Sequence, residues 1–303
     1  MNDYARWLMQ SRFRQFTMML VFVILFPPIA AAISVAGTLA VGPVLMLPVV
    51  AGVVAALALI GTVSQGFDVV QGSILLNVLF FGGSVGVAAL LAKTRSLSFT
   101  LQLMALAMVA ALLVGTLMIG DLVSFWRPVI EDALQMLTQT GAVVAEVSGE
   151  QREALIVQFA QIATAVVGAS FWYCAAIALV VGHWIWSQSP SATASFGRFR
   201  DINLGRTIAT VMLVTAILSA LLPVTVLGNV ALALMLVFGF QGIAIVHWQA
   251  AERQWNGGLL VLFYGLLVMP TPLQPLLVGV VCVAGYVDAW FNLLRTKPSG
   301  AVR

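Results

Sequence analysis

Charged side chains are scarce in this sequence. Lys, Arg, Asp and Glu together make up 8% of its 303 residues, whereas about a quarter of an ordinary soluble domain is charged. So few charges cannot cover a water-facing surface, which excludes a typical soluble globular domain. Cysteine and histidine are nearly missing, with two of each. Cys174 and Cys282 lie inside apolar runs, where a free thiol behaves as a small buried hydrophobe, so no disulfide is expected. His183 and His247 lack the paired spacing of a zinc site, and no metal is expected. There is no Gly-x-Ser-x-Gly elbow, no His-Glu-x-x-His, and no Gly-rich phosphate loop with its Lys. The sequence therefore nominates no catalytic residue and no cofactor, and reads as a non-enzyme.

What is present is apolar sequence: hydrophobic residues are 61% of the chain and the mean hydropathy is +1.06. Apolar runs cover Phe16 to Gly42, Pro43 to Val63, Val69 to Ala92, Leu101 to Gly120, Phe159 to Ser187, Thr207 to Val226, Val230 to Trp248 and Gly257 to Leu294. A run of about 20 such residues crosses a hydrocarbon core of about 30 Å. Backbone polar groups must be paired inside lipid, so only helices and closed barrels span it, and unbroken runs do not alternate as barrel strands do. The expected fold is all-α, a polytopic transmembrane helical bundle of about nine to ten spans, forming a single membrane domain over residues 1–303. The bilayer is the expected partner. Nucleic acid is not, because the positions of the cations matter more here than their net charge of +3.

Residues 1–15 carry Arg6, Arg12 and Arg14 among Tyr4, Trp7 and Phe13, the mixture of an interfacial basic segment. Further cations cluster at Lys93 and Arg95, at Arg198, Arg200 and Arg206, at Arg253, and at Arg295, Lys297 and Arg303. Residues 121–153 instead hold Asp121, Glu131, Asp132, Glu146, Glu150 and Glu153 against Arg127 and Arg152. The positive-inside rule puts that segment outside and the basic clusters in the cytoplasm, the C-terminus included. A cytoplasmic N-terminus then requires an even number of crossings before Lys93. Pro27-Pro28 can break the first run into a short hairpin, Phe16 to Phe26 and Pro28 to Gly42. The alternatives are one bent span, or a signal peptide ending near Ala30-Ala31-Ala32. Pro270, Pro272 and Pro275 similarly divide the last run into two spans.

The outer segment is amphipathic, with Leu122, Phe125, Trp126, Val129, Ile130, Ala133, Leu134 and Leu137 on one helical face. Pro128 is expected in its first turn. Ser148-Gly149-Glu150-Gln151 has capping-box spacing and opens a helix that can continue to Ser187. At 1.5 Å per residue it would be about 58 Å long, so its first turns project outside.

Polar residues inside the runs form two groups. Gln71, Asn77, Gln158, Gln161, Asn229 and Gln274 gather toward the outer half, with Trp172, Tyr173 and Tyr264 deeper in. They read either as an outward-facing small-molecule pocket or as hydrogen-bonding glue between helices. Near the cytoplasmic side Asp288, Asn292 and Arg295 share one helix face, a docking surface or an internal salt link. Gln241 and Trp248 also share a face, whereas His183 and His247 read as interface anchors. Ala32, Ala36 and Ala40 repeat every fourth residue, a stripe that allows close helix approach to a partner or within the bundle.

The segments RFRQF and LFPP near the start, AKTRSLSF at Lys93, FGRFRDINLGR at Arg198, QGIAIVHW at Gln241 and GYVDAWFNLLR around Asp288 resemble the YybS-like bacterial membrane proteins. That group is a domain of unknown function similar to the substrate-binding S components of energy-coupling-factor (ECF) vitamin transporters. The resemblance spans nearly the whole chain and implies a bacterial inner (cytoplasmic) membrane. It implies an S-component-like bundle with additional helices, which binds a small molecule from the outer side and docks on a coupling membrane protein with an ATPase module. Gln71, Asn77, Gln161, Trp172, Tyr173, Asn229 and Tyr264 would then line the ligand site, with Ala32, Ala36, Ala40, Asp288 and Arg295 at the docking face. The competing function is a membrane scaffold or assembly factor without a ligand.

Overall fold

The structure, a computed structural model, describes residues 2–65, 67–139, 149–189, 192, 195–222 and 224–292, with side chains except at positions 2, 64, 65 and 67–71. Among these residues there is no strand. The helices are α1 (Asn2–Met9), α2 (Arg12–Leu25), α3 (Pro27–Val41), α4 (Pro43–Gln65), α5 (Phe67–Thr94), α6 (Leu97–Ile119), α7 (Leu122–Gln139), α8 (Gly149–Ser187), α9 (Gly205–Leu221), α10 (Thr225–Glu252), α11 (Gly257–Val268) and α12 (Gln274–Phe291). Six helices, α4, α5, α6, α8, α10 and α12, are long and apolar enough to cross a membrane. Exposed apolar side chains such as Val63 at 82% and Leu117 at 84% suit a lipid-facing surface. The apolar helices α3, α9 and α11 are shorter; the 12 residues of α11 reach about 18 Å.

Proline sets the breaks. Between α2 and α3 the chain turns at Phe26, whose backbone is extended (φ −159°, ψ 91°). Pro27 and Pro28 then open α3 in its first turn, where a missing N–H leaves no helical bond unmade. The last apolar run divides around Pro270 and Pro272 into α11 and α12, and the Gln274 side chain donates to the Leu267 carbonyl at 2.9 Å across the turn. Pro128, expected in a first helical turn, lies inside α7 instead. The cause is Asp121, whose carboxylate accepts from the Val123 N–H at 3.0 Å and from the Ser124 hydroxyl, opening the helix before the proline is reached. α8 is a continuous helix of 39 residues, as its pattern predicts. Ser148, the expected cap of α8, lies outside the described residues, as do Arg295 and Lys297.

The chain groups into two compact units, one of Met1–Met104 and Trp172–Ile202, the other of Ala105–Phe171 and Asn203–Arg303. In the first unit α3 is buried on every side from Ala30 to Thr38, and it packs against α2, α4 and α5. A helix apolar all round its circumference belongs in such a place. Ala32 and Ala36 are fully buried, and a Cβ built on Gly182 of α8 would lie 2.5 Å from the Ala32 carbonyl oxygen. Ala32 thus meets a helix of the same chain; Ala40 is half-buried.

In the second unit α10 is central, with α9 and α12 packed on it. α10 and α12 meet backbone to backbone: a Cβ on Gly242 would lie 2.0 Å from the Val281 carbonyl oxygen, and one on Gly285 2.0 Å from that of Phe238. Lipid tails are as apolar as leucine, so burying apolar surface gains little inside a bilayer. Close packing of this kind, together with interhelical hydrogen bonds, has to hold the helices.

Candidate functional site

The polar side chains that the sequence places inside the apolar runs are the candidates for function, and each helix delivers them to a particular neighbour. Asn229, near the start of α10, is 3% exposed. Its Nδ2 donates to the Gln161 carbonyl at 2.9 Å and the Thr225 carbonyl at 3.2 Å, while its Oδ1 accepts from the Ala165 N–H at 3.2 Å. It therefore clamps α10 to the backbone of α8, and both amide hydrogens are used. Gln161 contributes only its carbonyl to this contact, its own side chain being exposed. Close by in sequence, Trp126 Nε1 of α7 donates to Thr164 Oγ1 at 2.7 Å.

A second node lies where α10 and α12 meet the start of α9. Gln241 and Asp288 are both fully buried. Gln241 Nε2 donates to Asp288 Oδ2 at 3.0 Å, and its Oε1 accepts from the Leu204 N–H at 2.8 Å, one of the donors that a helix beginning leaves unpaired. Arg206 Nε donates to the Trp290 carbonyl at 3.2 Å, tying α9 to α12 again. Asp288 is thus turned into its own bundle rather than toward a surface. The sharing of a helix face with Arg295 says nothing of this, because it is Gln241, on another helix, that the carboxylate meets.

The remaining candidates have separate surroundings. Asn77 Nδ2 donates to the Ser73 carbonyl of its own helix at 2.8 Å. Trp172 is buried and Tyr173, half-buried, makes an edge contact with it at 5.7 Å between ring centroids. Tyr264 pairs its hydroxyl with His247 Nε2 at 2.7 Å. The side chain of Gln71 lies outside those described. Asn77 and Tyr173 belong to the first unit, Gln161, Asn229 and Tyr264 to the second.

Sequence reasoning missed Ser34, Ser84 and Phe196, and it read His183 as an interface anchor. Ser84 Oγ of α5 donates to Ser34 Oγ of α3 at 2.9 Å, both residues being buried. His183 of α8, buried, accepts from the Phe196 N–H at 3.4 Å, and Phe196 stacks on His183 and Trp186 with ring centroids 5.6 and 5.1 Å away. Serine in an apolar run carries a weak signal, since it bonds its own helix as readily as another. The Gly242 and Gly285 crossing did leave a trace: each glycine stands within three residues of Gln241 or Asp288.

Outside the apolar spans, Arg127 of α7 makes a two-pronged ion pair with Glu153 at 2.6 and 2.9 Å and approaches Glu131 at 3.5 Å. Glu153 raises the already high pKa of the Arg127 guanidinium. The Ser124 hydroxyl holds the Asp121 carboxyl below the usual range. These groups are half-buried or exposed at the surface, so solvent screening leaves the pairs little effect on stability. Only part of the predicted apolar face of α7 is covered: Leu122 is buried, whereas Phe125, Val129, Ala133 and Leu137 are exposed.

Among the described residues, no cluster of three His, Cys, Asp or Glu side chains could hold a metal. An open apolar groove follows one face of α12 along Leu276, Val280, Val283 and Val287, with none of the candidate ligand residues in its walls. The molecule is an all-helical protein with several membrane-spanning-length helices, compatible with a membrane protein. Comparison with protein-family models, curated proteins and solved structures finds no match for the chain.

Proposed function

We propose that the chain is a multi-pass inner-membrane scaffold or assembly subunit whose buried polar residues hold helices together and bind no small-molecule ligand. Asn229 carries this reading. It is the buried amide among the described side chains of the expected ligand set, and the backbone of α8 and its own helix take both of its amide hydrogens and its oxygen. Gln241 is used in the same way. The competing reading, a transport-related subunit similar to an ECF S component that docks on an ATPase-coupled membrane protein, needs such side chains to be available to a ligand. The YybS-like resemblance suits the scaffold reading equally well, since that group has no settled ligand. The orientation belonging to the proposal places both termini and the clusters at Lys93 and Arg198 in the cytoplasm, following the charge asymmetry.

The test is substitution of the two asparagines in the full chain. Asn229→Leu removes the two hydrogen bonds that join α10 to the backbone of α8, each worth about 0.5 to 1.5 kcal/mol net, while the Ala165 N–H and the Gln161 carbonyl, four residues apart in α8, remain paired with each other. Its thermal unfolding midpoint in mild detergent is expected to fall clearly, while Asn77→Leu, which loses a bond to its own helix, stays close to the parent. Equal, small shifts for both would show that Asn229 is not a structural clamp.

A further inference from the structure

The basic residues Lys93, Arg95 and Arg198 come from two segments distant in sequence, yet the first unit brings them to one end. α5 ends at Thr94, and the Arg95 N–H bonds back to the Leu91 carbonyl at 2.8 Å. Arg95 takes a left-handed conformation (φ 51°) that a side-chain-bearing residue seldom adopts. Thr94 and Thr100 share a hydroxyl hydrogen bond at 2.8 Å, and Ser96 Oγ caps α6 through the Phe99 N–H at 3.3 Å. The turn between α5 and α6 is therefore fixed. The second segment is pinned to it: the Leu97 N–H donates to the Phe196 carbonyl at 2.8 Å, and a Cβ on Gly197 would touch the Leu97 Cβ at 3.6 Å. Leu97 is 2% exposed, and Phe196 is held by its stack on His183 and Trp186. Arg95 stands two residues from Leu97, Lys93 four, and Arg198 two residues from Phe196, so the backbone pairing keeps the three cations at the same end of the unit.

Lys93, Arg95 and Arg198 are all exposed. Among the described residues none of the three joins an ion pair, the pairs present being those of Arg127 with Glu131 and Glu153. Asp201 is the acid within the adjoining 3-10 turn, and Arg200 stands beside it. Three cations without an ion-pair partner, gathered around a fixed turn, repel one another, which an anion relieves. The site lies where membrane-length helices α5 and α6 end, and Phe99, 49% exposed, offers apolar surface next to the charges. An anion with an attached acyl chain fits both features.

We propose that Lys93, Arg95 and Arg198 form a binding site for the phosphate headgroup of an anionic phospholipid of the surrounding bilayer. Each cation near an anionic surface contributes about a fivefold preference, so three give about a hundredfold at most. The preference falls with salt. The site is independent of the scaffold reading, because it uses none of the buried polar residues on which that reading rests.

The experiment is native mass spectrometry of the full-length protein in mild detergent, titrated with phosphatidylglycerol or with phosphatidylcholine of the same chain length. The parent is expected to retain phosphatidylglycerol at least tenfold better, and the triple variant Lys93→Gln, Arg95→Gln, Arg198→Gln to lose most of that difference. The charge-preserving triple variant Lys93→Arg, Arg95→Lys, Arg198→Lys should keep it, which separates charge from fold. Arg253→Gln, which removes an exposed cation elsewhere, should also keep it. Equal retention of the two lipids by the parent would overturn the proposal, as would an undiminished preference in the triple Gln variant. Displacement of the lipid by millimolar inorganic phosphate would overturn it as well, assigning the site to a free anion.

Discussion

Gly285→Ala and Gly242→Ala are expected to be among the most damaging single-methyl substitutions in this chain. A Cβ at either position lies 2.0 Å from a carbonyl oxygen of the facing helix, while real Cβ atoms do not approach within 3.0 Å. The obstacle is backbone, which cannot rotate away as a side chain does, so α10 and α12 must separate by about 1 Å. Overpacking of a well-filled interior costs about 1 to 3 kcal/mol, and separation also lengthens the Gln241–Asp288 contact, so the upper end is expected. Gly279→Ala on the same helix is the control. Its Cβ would meet nothing within 4 Å, and alanine is favoured over glycine inside a helix by about 0.5 to 1 kcal/mol. Thermal unfolding in detergent should therefore rank Gly279→Ala at or above the parent and both crossing variants well below it. Equal midpoints for the three would mean that the helices do not meet at these glycines.

Gln241→Leu should have an effect of similar size for a different reason. It removes the donor to Asp288 Oδ2 and the acceptor of the Leu204 N–H, both in a place closed to water. Each group left unsatisfied costs about 1 to 3 kcal/mol, more where the group is charged. The double variant Gln241→Leu, Asp288→Leu also removes the buried carboxylate, and leucine suits a bundle interior. It should be less destabilised than the sum of its two single variants, with a coupling of about 1 to 3 kcal/mol. Additive effects would indicate that Gln241 and Asp288 do not act as a pair.

The contrast between these residues shows what a sequence read by itself can carry. Helix content and most boundaries follow from unbroken apolar runs, and the breaks at Phe26 and near Pro270 follow from proline chemistry, which is local. Pro128 is tolerated at a first turn but does not set one here, because Asp121 caps α7 and moves the helix start ahead of it. Polar residues in the runs were identifiable as important, since lipid penalises them wherever they are. Which partner each one meets was not legible. Asn229 meets α8 and Asp288 meets Gln241 across long stretches of sequence, and spacing along one helix carries no information about the facing helix. The alanine stripe shows the same limit: its period predicts close packing but does not say that Ala32 faces Gly182 in α8.

The central claim is that the intramembrane polar residues serve helix contacts and hold no ligand. Native mass spectrometry of the full-length chain, released from its own membranes without added compounds, tests this most directly. The account predicts the mass of the polypeptide with bound phospholipid and nothing else, for the parent and for Asn229→Leu alike. A stoichiometric non-lipid small molecule present on the parent and lost from Asn229→Leu would contradict it.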